Sequence, residues 1–250
     1  MRGPVRVLVN GARGAMGGEA RRAVEGAPGL DLVAACDLGD DLARAVRLSG
    51  AEVVVDFTRP RDAFANFRTA LRAGARPVAG TTGFTPAQVM AAAALVRRAG
   101  RGGAIVPNFA LGAVLAVRFA REAARHFPSV EVLERHHEGK ADAPSGTALL
   151  AAREIARAKG ARSRGRTESR PAGSRGANAG GVRVHAMRLA GSVAHLEVLF
   201  GGPGETLSLR HDTVDRSCFM PGLLLAIRTV ARSRRFFHGL EEILDAAPRR

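Results

Sequence analysis

Short apolar runs alternate with helix-compatible stretches through the first part of the chain. The runs Arg6–Val9, Leu30–Cys36 and Ala51–Phe57 are rich in β-prone residues, and the third contains consecutive valines without polar alternation. Continuous apolar runs are typical of parallel strands buried on both faces. Two more strands are predicted at Ala75–Ala79 and Ala104–Val106, with helices at Glu19–Glu25, Ala63–Ala73 and Pro86–Ala99. This alternation predicts a doubly wound parallel sheet of the Rossmann type, which binds ligands at the carboxyl ends of its strands.

The pattern changes after Asn108. Helices are then predicted at Gly112–His126, Ser145–Ala158 and Phe219–Val230, and strands at Ser129–Arg135, Val182–Arg188, Ala194–Gly201 and Thr206–His211. Residues 160–181 are rich in Arg, Ser and Gly without periodicity, which predicts a long loop that is mobile or functional. These elements predict a second α/β domain with a mixed or mostly antiparallel sheet. The fold class is therefore α/β, with two domains.

The net charge and the cysteine content indicate which ligands and which cellular compartment suit the chain. The net charge of +15 favours anionic ligands. Because the arginines are scattered and the chain has neither Tyr nor Trp to stack on bases, we expect no specific nucleic-acid partner. Cys36 and Cys218 lack C-x-x-C spacing, which argues against a disulfide framework and favours a reducing compartment. The first apolar run is too short for a signal peptide or a membrane span, so a soluble, cytoplasmic protein is expected.

A glycine-rich segment, GARGAMG, lies between the first predicted strand and helix, with Gly11, Gly14 and Gly17 in G-x-x-G-x-x-G spacing. Such glycines allow a tight turn and let a pyrophosphate approach the amides of a helix start. Glycine turns are also common without a ligand. Asp37 strengthens the ligand interpretation, because a carboxylate at the end of the second strand can accept hydrogen bonds from ribose hydroxyls. The alternative for Asp37 is a helix cap.

Two further segments follow predicted strands at the same edge. Gly80, Thr81 and Thr82 come after the fourth strand, where small residues suit a nicotinamide ribose, although an ordinary turn has the same composition. The residues that follow the fifth strand, Pro107–Phe109, are expected to form a wall beside the nicotinamide. Phe109 also suits a plain core position.

The densest group of reactive side chains is the segment ERHHEGKADAPSGT between a predicted strand and helix. Ser145, Gly146 and Thr147 at the helix start suit a carboxylate, because helix N-termini bind anions. Lys140 and His137 add cationic donors, and His136 titrates near neutrality. A zinc site is disfavoured, since adjacent histidines on a strand point to opposite faces and no cysteine lies nearby. A solvated polar loop remains the alternative.

Lys140 is also one of very few lysines in a chain rich in arginine. Of the 38 Lys and Arg residues, only Lys140 and Lys159 are lysine. Arginine replaces lysine readily on a surface but cannot give up a proton in its place. A lysine retained within the reactive segment therefore indicates proton chemistry.

The order of motifs GARGAMG, DFTRP, GTTGF, PNFALGAVL, ERHHEGKADAPSGTAL, RLAGSVAHLEVLFG and HDTVDRSCFMPG resembles the dihydrodipicolinate reductase family from about Val5 to Leu244. The resemblance implies NADH- or NADPH-dependent reduction of 4-hydroxy-tetrahydrodipicolinate, a dicarboxylate, to tetrahydrodipicolinate in diaminopimelate and lysine biosynthesis. It implies a dinucleotide-binding domain at 1–107 and 217–250, and a substrate-binding and oligomerisation domain at 108–216. It also implies a homotetramer built through the sheets of the substrate domain.

The resemblance also implies residue roles. His136 and Lys140 match the residues that transfer protons. The substrate-binding residues are His137, Lys140, Ser145, Gly146, Thr147 and Arg216, and the cofactor-binding residues are Gly11, Ala12, Arg13, Gly14, Ala15, Met16, Asp37, Gly80, Thr81, Thr82, Val106, Pro107, Asn108 and Phe109. The chain departs from the family in the glycine loop, where Ala15 stands at a position often basic in relatives and Arg13 is the basic residue. The choice between NADH and NADPH stays open.

Two other classes of function compete with this interpretation. A dehydrogenase of the aspartate-semialdehyde type needs a nucleophilic cysteine near a histidine. Neither Cys36, on a predicted buried strand, nor Cys218 is well placed for that chemistry. A non-enzymatic dinucleotide-sensing or nucleic-acid-binding module that uses residues 160–181 leaves the reactive cluster from His136 to Thr147 without a purpose.

Overall fold

The computed structural model describes residues 3–160 and 173–247, and the chain divides into two compact units. One unit is formed by the described residues of Met1–Leu111 and Arg216–Arg250, and the other by those of Gly112–Asp215. Within the described ranges, no helix has the length and apolar character needed to span a membrane.

The first unit begins with alternating strands and helices. In chain order these are β1 (Val5–Asn10), α1 (Ala15–Glu25), β2 (Leu30–Cys36), α2 (Leu42–Ser49), β3 (Val53–Asp56), α3 (Pro60–Arg72), β4 (Arg76–Ala79), α4 (Pro86–Ala99) and β5 (Gly103–Ile105).

The chain continues with α5 (Leu111–Ala123), β6 (Ser129–His136), α6 (Gly146–Lys159), β7 (Ala177–Ala179), β8 (Val182–Arg188), β9 (Ala194–Gly202) and β10 (Glu205–Thr213). A 3₁₀ turn (Arg216–Phe219), α7 (Met220–Arg232), β11 (Phe236–His238) and α8 (Leu240–Ala246) complete the described chain.

The first unit is built on a six-stranded parallel sheet in the order β11-β5-β4-β3-β1-β2. Val7 and Val9 of β1 and the three valines of β3 are buried, because helices cover the faces of a parallel sheet. Leu8 and Val54 pack with Leu42 and Val46 of α2 in one apolar cluster. The predicted doubly wound parallel sheet is confirmed.

Three elements of this unit were absent from the sequence-based prediction. Helix α2 is short and is capped by Asp41, and only Leu42 and Val46 are buried. Two buried positions are too few to reveal a helical repeat of apolar residues in the sequence. Strand β11 pairs with β5, which lies far from it in the sequence, and α8 packs beside it. Because long-range pairing stabilises a three-residue strand, its own pattern is too short to predict it.

The second unit contains a five-stranded mixed sheet in the order β10-β9-β6-β8-β7. Strands β6 and β8 are parallel, whereas the β6–β9, β9–β10 and β7–β8 pairs are antiparallel. Apolar residues of α5 and α6 pack on one face, with Val132, Val198 and Phe200 in the same core. The predicted mixed sheet is confirmed.

The loop predicted at 160–181 needs a correction. Residues 161–172 lie outside the described residues. Ala177–Ala179, which the composition placed in the loop, form β7 and pair antiparallel with β8. This edge strand depends on the neighbouring strand for its hydrogen bonds, and a local sequence pattern does not carry that information.

Candidate functional site

The carboxyl edge of the parallel sheet in the first unit brings together the predicted cofactor-binding residues. Strands β1, β2, β4 and β5 run in the same direction, so the segments after them emerge at the same edge. The residues at this edge are Gly11, Ala12, Arg13, Gly14, Ala15, Met16, Asp37, Gly80, Thr81, Thr82, Val106, Pro107, Asn108 and Phe109. Whether they bind the cofactor stays a prediction.

The turn between β1 and α1 is shaped by close backbone packing. The amides of Gly11 and Ala12 both donate to the Cys36 carbonyl oxygen, at 2.9 and 3.0 Å. Gly11 has a φ of +80°, and a Cβ on Gly17 would lie only 2.0 Å from the Gly11 carbonyl oxygen. Helix α1 begins at Ala15, and the cap position before it is Gly14, which provides no side-chain hydrogen bond. The first backbone amides of α1 therefore receive no hydrogen bond from a capping side chain, which fits the binding of a pyrophosphate at this helix start.

Asp37 is held beside this turn. Its Oδ2 atom accepts a hydrogen bond from the Arg13 amide at 2.7 Å, and Oδ1 accepts one from the Leu38 amide at 2.8 Å. These hydrogen bonds, that of Leu38 first, lower the pKa of Asp37, and the charges of Arg13 and Arg59 act in the same direction. The cap of α2 is Asp41 instead, whose side chain accepts from the Arg44 amide. The helix-cap alternative for Asp37 is therefore wrong.

A buried carboxylate at the end of β3 was missed by sequence reasoning. Asp56 accepts hydrogen bonds from Asn10 Nδ2 at 2.9 Å and from the hydroxyl of Thr58 at 2.6 Å. The Thr58 carbonyl in turn accepts from the hydroxyl of Thr81 at 3.1 Å. This chain of hydrogen bonds orders the loops after three strands. The signal in the sequence is an aspartate that closes a run of three valines.

Aromatic rings pack tightly below Gly80. Phe57 and Phe109 meet edge to face with ring centroids 5.9 Å apart. A Cβ on Gly80 would lie 2.2 Å from Phe57 Cε1, which explains why glycine is required there. Phe109 is buried against Phe57, which fits a core position, and its place beside the nicotinamide stays a prediction. Asn108 Oδ1 accepts from the Ala110 amide at 2.9 Å.

The second unit carries the reactive segment between β6 and α6. His136 ends β6, Ser145 caps α6, and Lys140 lies in the loop that joins them. Ser145 is buried, and its hydroxyl accepts from the Ala148 amide at 3.3 Å. Gly146 and Thr147 form the first turn of α6, whose N-terminus carries the positive end of the helix dipole. His137 is exposed.

Glu134 is the centre of this segment, and sequence reasoning assigned it no role. Its side chain is fully buried, with Oε2 2.5 Å from His136 Nδ1, and Oε1 accepts from the Ser145 amide at 3.0 Å. Arg188 of β8 donates to both carboxylate oxygens, at 3.1 Å each. The sequence signal is a glutamate two residues after buried Val132, on the face of β6 that packs on the helices.

Arg188 also binds the loop itself. Its Nε donates to the Lys140 carbonyl oxygen at 3.2 Å, and Nη2 donates to that of Asp142 at 2.5 Å. Lys140 Nζ lies 2.5 Å from Asp142 Oδ1, and this contact lowers the pKa of Asp142. Burial lowers the pKa of His136, against the opposing influence of Glu134. The end of β6 and the loop that follows it thus hold an imidazole and a lysine side chain within five residues of each other.

Arg216 and the reactive segment belong to different units of the chain. Arg216 is exposed, begins the 3₁₀ turn and belongs to the first unit, whereas the other predicted substrate-binding residues belong to the second. Its contact with substrate stays a prediction.

The aldehyde-dehydrogenase alternative lacks a suitable nucleophile at Cys36. Burial raises the pKa of its thiol, and the charges of Asp40 and Asp41 add to the effect. A thiol that stays protonated is a poor nucleophile. Cys36 is therefore a buried core residue of β2 rather than a catalytic one.

Comparison with known proteins gives matches over nearly the whole chain. The family model described as "Dihydrodipicolinate reductase, N-terminus" matches residues 5–109, and "Dihydrodipicolinate reductase, C-terminus" matches residues 112–244. A 4-hydroxy-tetrahydrodipicolinate reductase of Nocardia farcinica is 48% identical over 246 residues, with 96% of this chain and 99% of that protein covered. The protein of the same name from Beutenbergia cavernae is 49% identical over 247 residues, with the same coverage. The solved structure of dipicolinate-bound dihydrodipicolinate reductase from Paenisporosarcina sp. TG-14 is 35% identical, with a TM-score of 0.88 and 96% and 99% of the two chains covered.

Proposed function

Because the chain belongs to the dihydrodipicolinate reductase family, we propose roles for its own residues in the reaction of that family. The chain is an NAD(P)H-dependent oxidoreductase, which reduces 4-hydroxy-tetrahydrodipicolinate to tetrahydrodipicolinate in diaminopimelate and lysine biosynthesis. In this proposal the first unit holds the cofactor and the second holds the substrate.

The proposed binding site for the cofactor is the carboxyl edge of the parallel sheet. When bound, NADH or NADPH supplies the hydride for the reduction. The turn from Gly11 to Met16 binds the pyrophosphate through amides at the start of α1. Asp37 accepts hydrogen bonds from ribose hydroxyls, while the segments Gly80–Thr82 and Val106–Phe109 border the nicotinamide end. The support for this assignment is the absence of a side-chain cap at Gly14 and the ionised Asp37 beside it.

The start of α6 is proposed to bind a carboxylate of the substrate. Ser145 and Thr147 bring hydroxyls, and Gly146 and Thr147 bring backbone amides, to the positive end of the helix dipole, while the Ser145 amide donates to Glu134. Lys140 and His137 add donors from the preceding loop. Arg216 is kept as a proposed further contact on the basis of the motif DRSCF alone.

Proton transfer is assigned to His136 and Lys140. His136 contacts Glu134 through Nδ1, so the second ring nitrogen, Nε2, is the atom that exchanges a proton with the substrate. Lys140 Nζ, held by Asp142, delivers a proton where negative charge develops on the substrate. The single observation that carries this proposal is that Arg188 binds both Glu134, the partner of His136, and the loop that contains Lys140, beside the start of α6.

The test is a coupled assay with freshly generated 4-hydroxy-tetrahydrodipicolinate, in which NADH and NADPH oxidation are followed separately. We expect His136→Gln to lower kcat by about 10²-fold or more, the range of general acid–base catalysis, with little change in the Kd of NADH. A His136→Gln enzyme with the wild-type kcat contradicts the assigned role.

We further propose a cytoplasmic homotetramer. Helices α5 and α6 pack on one face of the five-stranded sheet, and the alternate residues Glu131, Leu133 and Arg135 of β6 lie on the opposite face, which supports assembly through that face. Light scattering should give about four times the chain mass of 26.2 kDa. Leu133→Arg should lower that mass while the far-ultraviolet circular dichroism is kept; an unchanged tetramer rules this face out.

A further inference from the structure

In the part of the chain that the structure describes, the hydrogen-bond partners of the buried Glu134 carboxylate all donate hydrogen bonds or can do so. These groups are the two guanidinium nitrogens of Arg188, the Ser145 amide and Nδ1 of His136. We propose that Glu134, held by Arg188, is a positioning residue that keeps the neutral His136 imidazole protonated at Nδ1 and leaves Nε2 as its proton-exchanging atom. This inference rests on the proposed role of His136 in proton transfer.

Of the groups that contact Glu134, only the His136 ring can change its role between donor and acceptor. An ionised carboxylate only accepts hydrogen bonds, and an arginine and a backbone amide only donate them. His136 Nδ1 lies 2.5 Å from Glu134 Oε2, so a neutral ring forms this hydrogen bond only when Nδ1 carries the proton. The lone pair of Nε2 is then available as a base, and the protonated ring donates from Nε2 as an acid.

The buried side chain of Glu134 is paired with a charge of opposite sign. That side chain has no exposed surface, and Arg188 forms a two-point ion pair with it. Such paired hydrogen bonds compensate the cost of burying a carboxylate, and they hold it in a single orientation. The orientation of the His136 ring is therefore determined by β6 and β8 rather than by the loop.

The ion pair of Glu134 and Arg188 also binds the loop between β6 and α6. The same ion pair binds it at three places: Glu134 accepts from the Ser145 amide at its end, and Arg188 donates to the carbonyls of Lys140 and Asp142 in its middle. The contact between Glu134 and the Ser145 amide is buried, and exclusion of water strengthens it. The histidine, the lysine backbone and the helix start are thus positioned by one buried pair.

The substitution Glu134→Gln distinguishes control of the His136 tautomer from a general contribution of Glu134 to the packing of the loop. The glutamine amide replaces one acceptor oxygen with a donor, and that donor must face one of the partner groups. Arg188 and the Ser145 amide cannot become acceptors, whereas His136 can if its proton moves to Nε2. We therefore expect Glu134→Gln to reverse the tautomer of neutral His136.

The decisive measurement is ¹⁵N NMR of the ring nitrogens at a pH where His136 is neutral, with its signals among the 7 histidines assigned by their loss in His136→Gln. The expected result is a proton on Nδ1 in the wild type and on Nε2 in Glu134→Gln. A wild-type ring protonated at Nε2 overturns the proposal, and this outcome does not depend on whether the variant folds. An unchanged tautomer in a folded Glu134→Gln protein also overturns it.

Kinetics supply the second readout. Glu134→Gln should lower kcat about tenfold or more, with little change in the Kd of NADH. In a His136→Gln background the same substitution should lower kcat several-fold less, because coupled residues are not additive. Equal losses in both backgrounds overturn the positioning role. If His136→Gln alone keeps the wild-type kcat, the proposed role of His136 in proton transfer fails instead, and the tautomer measurement still tests the contact with Glu134.

Glu154→Gln is the matched control. Glu154 lies on α6, and its half-buried carboxylate pairs with Arg157 at 2.7 Å and Arg121 at 3.6 Å. The substitution removes a carboxylate charge from an ion-pair cluster of the same unit, away from the reactive loop. We expect unchanged kcat and an unchanged His136 tautomer. A change in either with Glu154→Gln contradicts the specificity assigned to Glu134.

Discussion

Gly17 packs against Gly11 so closely that a Cβ at residue 17 would lie 2.0 Å from the Gly11 carbonyl oxygen. The neighbouring Gly18 lies on the same helix, yet a Cβ there would meet nothing within 4 Å. The two glycines therefore differ in their physical role. Gly17 allows α1 to approach the turn that follows β1, whereas Gly18 only lowers the helix propensity of α1.

The first prediction compares alanine at these two positions. Gly17→Ala should displace the start of α1, reduce the free energy of unfolding by about 1–3 kcal/mol and weaken NADH binding. Gly18→Ala should keep the Kd of NADH and raise the free energy of unfolding by about 0.5–1 kcal/mol. Denaturant unfolding and fluorescence titration of NADH measure the two effects. Similar Kd values for the two variants would show that the packing of Gly17 does not shape the cofactor site.

The second prediction concerns cofactor choice. NADH should be used at least as well as NADPH, because ionised Asp37 accepts ribose hydroxyls and repels a 2′-phosphate. Asp37→Ala should lower kcat/KM for NADH about tenfold or more, as expected for lost hydrogen bonds to a charged group, and raise the relative use of NADPH. Asp31→Ala, at an exposed position of β2, is the control and should leave the ratio unchanged. An unchanged ratio in Asp37→Ala removes Asp37 from cofactor selection.

The third prediction tests the start of α6. Thr147→Val should raise the KM of the substrate while the Kd of NADH stays near the wild-type value, because a lost hydrogen bond to a charged group costs about 1.5–3 kcal/mol. Thr147→Ser retains the hydroxyl and should remain close to the wild type. Steady-state kinetics and NADH titration separate the two effects. Equal weakening of both ligands would indicate a folding defect instead of a lost substrate contact.

The fourth prediction separates charge from proton transfer at Lys140. An arginine keeps the positive charge and binds carboxylates well, but its pKa is too high for proton transfer near neutrality. We expect Lys140→Arg and Lys140→Ala both to lower kcat by about 10²-fold or more in the coupled assay. Lys159→Arg, at the distant end of α6, is the control for a lysine-to-arginine change and should keep kcat. Near-normal kcat in Lys140→Arg would reduce Lys140 to a binding residue.

Much of the architecture follows from local pattern. The valines of β1 and β3 predict buried parallel strands because apolar side chains on both faces require cover on both faces. The helix from Pro86 to Ala99 has the predicted bounds, since Thr85 and Pro86 begin it and Gly100 ends it. Elements without such a pattern, α2, β7, β11 and α8, were missed, because pairing with distant strands or a few buried side chains stabilises them.

By itself, the sequence determined the family, the α/β class, the mixed second sheet and the motifs that contain the candidate site residues. Only the tertiary structure decided which side chains organise those motifs. Glu134 and Arg188 are far apart in the chain and meet because β6 and β8 are parallel neighbours, and Asp56 reaches Asn10 because β3 lies beside β1. A local pattern records which positions are apolar. The partner of a buried charge depends on strand order and register, which long-range contacts determine.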